Sequence, residues 1–167
     1  MSECLYRVLD ALLFITPCYV ANGVPVLVSR LVRRRHPIDM GRVFRDGRRV
    51  FGEGKTWEGL VCAVACGTLS GAVLDGHSLY GAFVLSLGAM LGDLAGSFVK
   101  RRLGIERGGR APLLDELGFV VASLALYQVL IGGLDPVTVT VVLLLTPPLH
   151  RVSNIMAYRL GLKDKPW

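Results

Sequence analysis

Residues 79–102 read LYGAFVLSLGAMLGDLAGSFVKRR. From Leu79 to Val99 the run is apolar apart from Ser86, Asp93 and Ser97. At about 1.5 Å per residue it is long enough to cross a hydrocarbon core of about 30 Å as one helix. It stops at Lys100-Arg-Arg102. Glycines at 88, 92 and 96 form a doubled GxxxG pattern, which lets a neighbouring helix approach closely. Packing accounts for these glycines but not for Asp93, which lies roughly 9 Å inside the basic end at the helical rise. A carboxylate at that depth is costly and marks a functional candidate.

Four more apolar stretches flank this one, centred near Phe14, Ala65, Ala125 and Leu143. They predict spans over Leu9–Leu31, Trp57–Leu74, Pro112–Ile131 and Pro136–Tyr158, besides Leu79–Val99. Of the 19 Lys and Arg, all but Arg7 fall in Arg30–Lys55, Lys100–Arg110 and Arg151–Lys165. The alternate links, Leu74–Ser78 and Gly132–Pro136, carry only Asp75, His77 and Asp135. By the positive-inside rule the basic loops are cytoplasmic. The expected fold is therefore an all-α integral membrane protein with five transmembrane helices. The N-terminus is outside, the C-terminus is cytoplasmic, and two basic loops face the cytoplasm. A content of 52% hydrophobic residues fits a membrane chain, and five helices with two loops use all of 1–167 as one domain.

Other classes are disfavoured. The opening Met1-Ser-Glu-Cys4 has no basic n-region, so the first stretch is expected to be retained as a span. Basic loops fix orientation in any multi-spanning protein, but these are denser and more patterned than orientation requires. No aromatic interleaving or helix-turn-helix pattern indicates that the +6 charge serves nucleic acid. Cys4, Cys18, Cys62 and Cys66 form no CxxC pair and read as packing residues, with no disulfide or metal.

Polar residues gather at the basic end. Pro17 and Pro25 predict a kinked or locally unwound first span, with Asn22 between them. In the first loop, Asp46-Gly47 reads as a turn between Val43-Phe44 and Val50-Phe51. Gly52-Glu-Gly-Lys-Thr56 resembles the end of a P-loop but is not one, because the spacing requires glycine where Arg49 stands. Glycines, a helix N-terminus and Lys55 nevertheless suit phosphate. Asp115 and Glu116 open the fourth span, where the helix dipole favours acids. His150 and Asn154 share a face of the fifth. Asp93 and Asp115 flank the second basic loop, and paired carboxylates holding Mg²⁺ beside phosphates are what nucleotidyl or phosphoryl transfer needs. Composition and spacing by themselves indicate a small membrane protein with an anion- and metal-binding cytoplasmic site.

Four stretches are more specific. They are Pro17-Cys-Tyr-Val-Ala-Asn-Gly-Val-Pro25, Asp46-Gly-Arg-Arg-Val-Phe-Gly-Glu-Gly-Lys-Thr-Trp57, Gly92-Asp-Leu-Ala-Gly-Ser-Phe-Val-Lys-Arg-Arg-Leu-Gly-Ile105, and the tail from Thr146 through His150, Asn154 and Tyr158 to Trp167. Together they resemble CDP-archaeol synthase, the CTP-dependent lipid cytidylyltransferase family of archaeal membranes. Ser97-Phe-Val-Lys-Arg101 followed by Leu114-Asp115 is also similar to bacterial phosphatidate cytidylyltransferases. One position departs from the pattern. The family runs Leu-Asp-Gln-Leu-Asp-Phe where this chain has Leu114-Asp-Glu-Leu-Gly-Phe119, so Gly118 replaces an acid. Asp115 is then the expected metal ligand, with Glu116 or Glu53 compensating.

The resemblance implies cytidylyl transfer from CTP to 2,3-di-O-geranylgeranylglyceryl phosphate, yielding CDP-archaeol and pyrophosphate at the cytoplasmic face of the cell membrane. The expected partners are CTP, this anionic ether-lipid phosphate and membrane lipids. Asp93, Lys100 and Asp115 are the expected catalytic residues, and Asp93 and Asp115 the Mg²⁺ ligands. Asn22, Gly52, Glu53, Gly54, Lys55, Thr56, Ser97, Arg101, His150 and Asn154 are expected to contact substrate. The lipid head is expected to enter by the first span and the inner part of the fifth. Two other classes remain open: a CTP-dependent lipid or polyprenol kinase, which releases CDP instead of pyrophosphate, and a non-enzymatic transporter or lipid-binding protein. A CDP-alcohol phosphotransferase is weaker, since no DGxxAR sequence is present.

Overall fold

The computed structural model describes residues 3–74 and 78–167. The predicted link residues Asp75 and His77 lie outside the described residues. Five helices follow one another: α1 (Glu3–Leu31), α2 (Trp57–Leu74), α3 (Leu79–Arg102), α4 (Pro112–Leu130) and α5 (Pro136–Arg159). All five are long and apolar enough to cross a membrane.

Local chemistry sets the ends. Thr56 Oγ1 accepts the Gly59 N–H at 3.3 Å and caps α2. Ser78 caps α3 through Gly81 N–H, and Asp135 caps α5 through Thr138 N–H. Pro112 and Pro136 occupy first-turn positions, where a missing N–H costs nothing. α1 is an uninterrupted helix through Pro17 and Pro25, so the expected local unwinding does not occur. The Pro17 carbonyl accepts from Ser86 Oγ on α3 at 3.4 Å, one tertiary contact made at this proline.

α3 is the central element, packed on α1, α2 and α4. Its glycines make this possible. A Cβ at Gly88 would stand 2.6 Å from Ser123 Cα, and one at Gly92 would stand 2.6 Å from Gly118 O and 2.8 Å from Phe119 Cα. The backbones of α3 and α4 thus touch directly. The core runs through all five helices, from Ile15, Cys18 and Ala21 through Ala63, Leu85, Ala89, Phe119, Val120 and Leu124 to Val142. α5 is peripheral, burying only Val142 and Thr146. Tyr19 and Thr146 hydroxyls hydrogen-bond at 2.8 Å and tie it to α1.

Residues 32–56 form a compact cap on the end of α3. The hairpin tip is present, with Val43 bridging Arg49 and Asp46 accepting the Arg48 N–H. Asp39 organises the rest. Its carboxylate accepts from Arg49 Nε and Nη2 and from the N–H groups of Gly41, Phe51 and Gly52. Burial alone would raise its pKa, but Arg49 and the three N–H donors hold the carboxyl well below the usual range. Arg48 Nη1 caps the α3 carbonyls of Arg101 and Arg102. This approach puts the guanidinium 2.9 Å from where a Cβ would stand at Gly104, whose φ of +74° also suits only glycine.

Candidate functional site

The helices, both basic loops and the C-terminal tail converge at one end of the bundle, around a cleft of about 680 Å³. Asn22 and Ser29 come from α1, Gly54 and Lys55 from the first loop, and Asp93, Ser97 and Lys100 from α3. Asp115 and Phe119 come from α4, and His150 and Asn154 from α5. The polar residues expected from the sequence at Asn22, Gly54, Lys55, Asp93, Ser97, Lys100, Asp115, His150 and Asn154 therefore share one space. Asn22 makes no hydrogen bond among the described residues, leaving its carboxamide free in the cleft.

The charges are paired. Lys55 Nζ lies 2.5 Å from Asp93 Oδ2, with both side chains about one-quarter exposed. Lys100 Nζ donates to both oxygens of Asp115, at 2.9 and 3.1 Å, and Asp115 also accepts the Ala111 N–H. Each aspartate thus meets a lysine from a different segment. A half-buried carboxylate without such a partner would be strongly disfavoured. His150 stacks at 5.7 Å from Phe119 and meets the Asn154 carboxamide at 3.2 Å, as their i, i+4 spacing requires.

Four expected contact residues do not line the cleft. Thr56 is buried as the α2 cap, and Gly52 turns the chain with φ +96° while donating to Asp39. The Trp57 N–H at this helix start is taken by His36 O, so the backbone cradle is largely used internally. Glu53 is exposed beside Arg107 and Arg49. Arg101 does not line the cleft, and its Nε is buried without a hydrogen-bond partner among the described residues, while Arg102 faces the first loop. The Arg102 guanidinium packs on Phe44 and Phe98 and donates to the carbonyls of Arg48 and Arg49. Glu116, named as a compensating acid, is buried and gripped by Arg151 at 2.9 and 3.2 Å. It lines a smaller cavity of about 240 Å³ between α4 and α5 that also has Arg110, Arg151 and Ile155 in its wall and shares Asp115, His150 and Asn154 with the larger one.

Mg²⁺ in nucleotide sites takes one or two carboxylates together with phosphate oxygens and water. The carboxylates of Asp93 and Asp115 suit that donor set. Among the described residues no group of three or more His, Cys, Asp or Glu forms a protein-only cage. Asp93 Oδ1 has no protein partner among the described residues.

The CarS-like CDP-archaeol synthase family model matches residues 4–167. The chain belongs to the CDP-archaeol synthase family. It is 49% identical to CDP-archaeol synthase of Thermofilum pendens, covering 96% of this chain and 82% of that protein. It is 47% identical to that of Pyrobaculum islandicum, over 93% of this chain and 96% of the relative. It is 43% identical to that of Thermococcus onnurineus, over 98% and 99%. A solved intramembrane enzyme of archaeal membrane lipid biosynthesis superposes with a TM-score of 0.78 at 42% identity, covering 89% of this chain and 94% of that one. The fold is thus that of a multi-pass membrane enzyme.

In this CDP-archaeol synthase family member, Gly118 is not forced by side-chain packing. A Cβ there would meet only Leu114 Cδ1, at 3.6 Å. The cleft also contains residues that the sequence reading passed over: Ser29, Arg35, Gly108, Gly109 and the tail residues Lys163 and Trp167. The tail carried a signal in its match to the family, but spacing alone could not show that it folds back onto the site.

Proposed function

We propose that this chain transfers the cytidylyl group of CTP to an archaeal lipid phosphate in the cleft, forming CDP-archaeol and releasing pyrophosphate. The convergence of Lys55–Asp93 and Lys100–Asp115 in one cleft, in a chain of this family, carries the reading. A lipid phosphate oxygen attacks the α-phosphorus of CTP, and the bond to the β-phosphate oxygen breaks. The nucleophile is already ionised at neutral pH, so no strong base is required. The protein contributes positioning and charge neutralisation.

In the absence of substrate the two ion pairs satisfy each other. On binding, Lys55 and Lys100 turn to phosphate oxygens. Asp93 and Asp115 would hold Mg²⁺, which would supply charge neutralisation on the triphosphate when bound. Asn22, Ser97, His150 and Asn154 supply neutral donors and acceptors around the nucleotide. The smaller cavity suits the lipid phosphate. Arg110 and Arg151 offer it positive charge, and the adjoining α5 surface exposes Val152, Ile155 and Met156, as a bilayer-facing entrance requires.

Purified protein given CTP, Mg²⁺ and 2,3-di-O-geranylgeranylglyceryl phosphate is expected to release pyrophosphate and form a CDP-lipid in equal amounts. CDP release with a doubly phosphorylated lipid would establish a kinase instead. No feature of the cleft favours that alternative or the transporter.

The clustering of basic residues in alternate loops supports a site at the cytoplasmic face of the cell membrane, with the N-terminus outside and the C-terminus inside. In a background lacking the native cysteines, a probe at Ile131 is expected to react with an impermeant thiol reagent added outside intact cells. A probe at Arg107 is expected to stay protected until the membrane is opened. The reverse pattern would place the site outside.

A further inference from the structure

Three lysines are partly buried in the cleft, and they differ in one respect. Lys55 is paired with Asp93 and Lys100 with Asp115. Lys163 donates to the Asn154 carboxamide oxygen at 2.8 Å, a neutral partner, and meets no carboxylate among the described residues. Among the partly buried groups three ammonium ions thus face two carboxylates, and Lys163 is the one left without a carboxylate; Asp164 and Lys165, which also line the cleft, are exposed. Burial lowers the Lys163 pKa, and the charges of Lys100 and Lys55 lower it further, while Asp115 and Asp93 oppose them. The ammonium is therefore close enough to feel both ion pairs, in a place that disfavours charge unless an anion arrives.

The backbone holds Lys163 there deliberately. α5 ends in a Schellman turn, with Gly161 at φ +71°, Leu162 N–H on Ala157 O and Gly161 N–H on Tyr158 O. This reverses the chain over the cleft. Arg30 at the end of α1 then grips both neighbours of Lys163. Its Nε donates to Leu162 O at 3.2 Å and its Nη2 to Asp164 Oδ1 at 2.9 Å. Farther along, Trp167 Nε1 donates to Gly108 O in the second loop at 3.2 Å. An exposed ion pair such as Arg30–Asp164 contributes little to stability, so its consequence is the placement of the residue between its two anchors.

We propose that Lys163 is a substrate-binding residue whose ammonium takes phosphate oxygens in the cleft, and that Arg30 is the positioning residue that delivers it through the folded-back tail. This rests on the cytidylyltransferase reading. Because Lys163 starts without a carboxylate partner, it engages an incoming phosphate before either ion pair has to open. The ligand chemistry is a phosphate group, whether on CTP or on the lipid.

The test compares wild type with Lys163→Gln, Lys163→Arg, Arg30→Gln and the surface control Arg159→Gln, all at full length in detergent. Binding of Mg²⁺-CTP without lipid is measured by calorimetry, and KM for each substrate at saturation of the other. Lys163→Gln is expected to weaken CTP binding about tenfold or more, the worth of a charge-assisted hydrogen bond. Lys163→Arg should recover most of it. Arg30→Gln should raise the same KM to a smaller extent with kcat little changed, and Arg159→Gln should match wild type. A rise confined to the lipid-phosphate KM would support the proposal with the lipid as the phosphate source. Unchanged CTP binding and unchanged KM values in Lys163→Gln would overturn it. If that variant fails to fold, the Arg30→Gln comparison decides in the same way. A wild type that binds CTP but releases CDP would refute the cytidylyltransferase reading and leave the CTP-binding comparison valid.

Discussion

Asp93→Asn is expected to lower kcat by about 100-fold or more, the scale seen when one preorganised charge interaction is lost, while the protein stays folded. Asn keeps the size of the side chain and one acceptor for Lys55, which now lies beside the neutral amide. What it loses is the anionic oxygen that would hold Mg²⁺ next to the triphosphate. The ion pair with Lys55 offers a competing explanation, because Asp93 serves structure if the pair merely offsets burial. An ionised carboxylate left unpaired there would cost about 2.5–3.5 kcal/mol on insertion scales. The two roles separate under measurement. A structural pair predicts that Asp93→Asn and Lys55→Ala lower the melting temperature alike and leave turnover saturable by Mg²⁺ at the wild-type concentration. A metal role predicts that Asp93→Asn alone raises the Mg²⁺ requirement, while Lys55→Ala raises the KM for CTP. Full activity of Asp93→Asn at ordinary Mg²⁺ would falsify the assignment of Asp93 to the metal.

Gly92→Val is expected to have the largest effect on stability. Even a methyl group at this position would stand 2.6 Å from Gly118 O and from Ala122 Cβ. Two of the three nearest atoms are backbone, so no side-chain rotation relieves the clash and α4 must move away from α3. Overpacking of this kind costs about 1–3 kcal/mol or more. The separation also reaches the site, since α3 carries Asp93 and Lys100 and α4 carries Asp115. Melting temperature and kcat should therefore fall together. Two glycines provide controls. Gly118→Ala lies on the facing helix with only Leu114 at 3.6 Å, and Gly23→Ala has no atom within 4 Å of the added methyl. Both should melt at or above the wild-type temperature, because alanine favours the helix by about 0.5–1 kcal/mol over glycine. A wild-type melt for Gly92→Val would mean that α3 and α4 do not pack backbone to backbone.

The helices were legible because their lengths answer to a single physical quantity, the thickness of the apolar layer. Trp57–Leu74 begins and ends where the apolar run does, and Pro112, Pro136 and Ser78 mark their helix starts by chemistry that is local in the chain. The larger shifts lie where charged residues continue a helix past the apolar limit, as Glu3 and Arg7 do for α1 and Lys100–Arg102 do for α3. The doubled GxxxG likewise announced a close helix contact, though not that α4 was the partner.

The polar residues show the boundary clearly. Charge and depth singled out Asp93, Asp115, Lys55 and Lys100 in the sequence, because an ionised group at the edge of an apolar helix has few harmless explanations. Which lysine meets which aspartate, that Arg102 faces the loop while Lys100 faces the cleft, and that Lys163 returns to the site were decided only by the tertiary structure. These helices are apolar on nearly every face, so periodicity carries little information about their rotation. The rotation of α3 follows instead from glycines fitting against α4, and the path of the tail from Gly161 and its contacts with Arg30. Sequence by itself determined how many helices there are and which end of them is charged, since hydrocarbon thickness and charge asymmetry act on each segment alone. The pairing of charges needed the fold, because it depends on contacts between segments far apart in the chain.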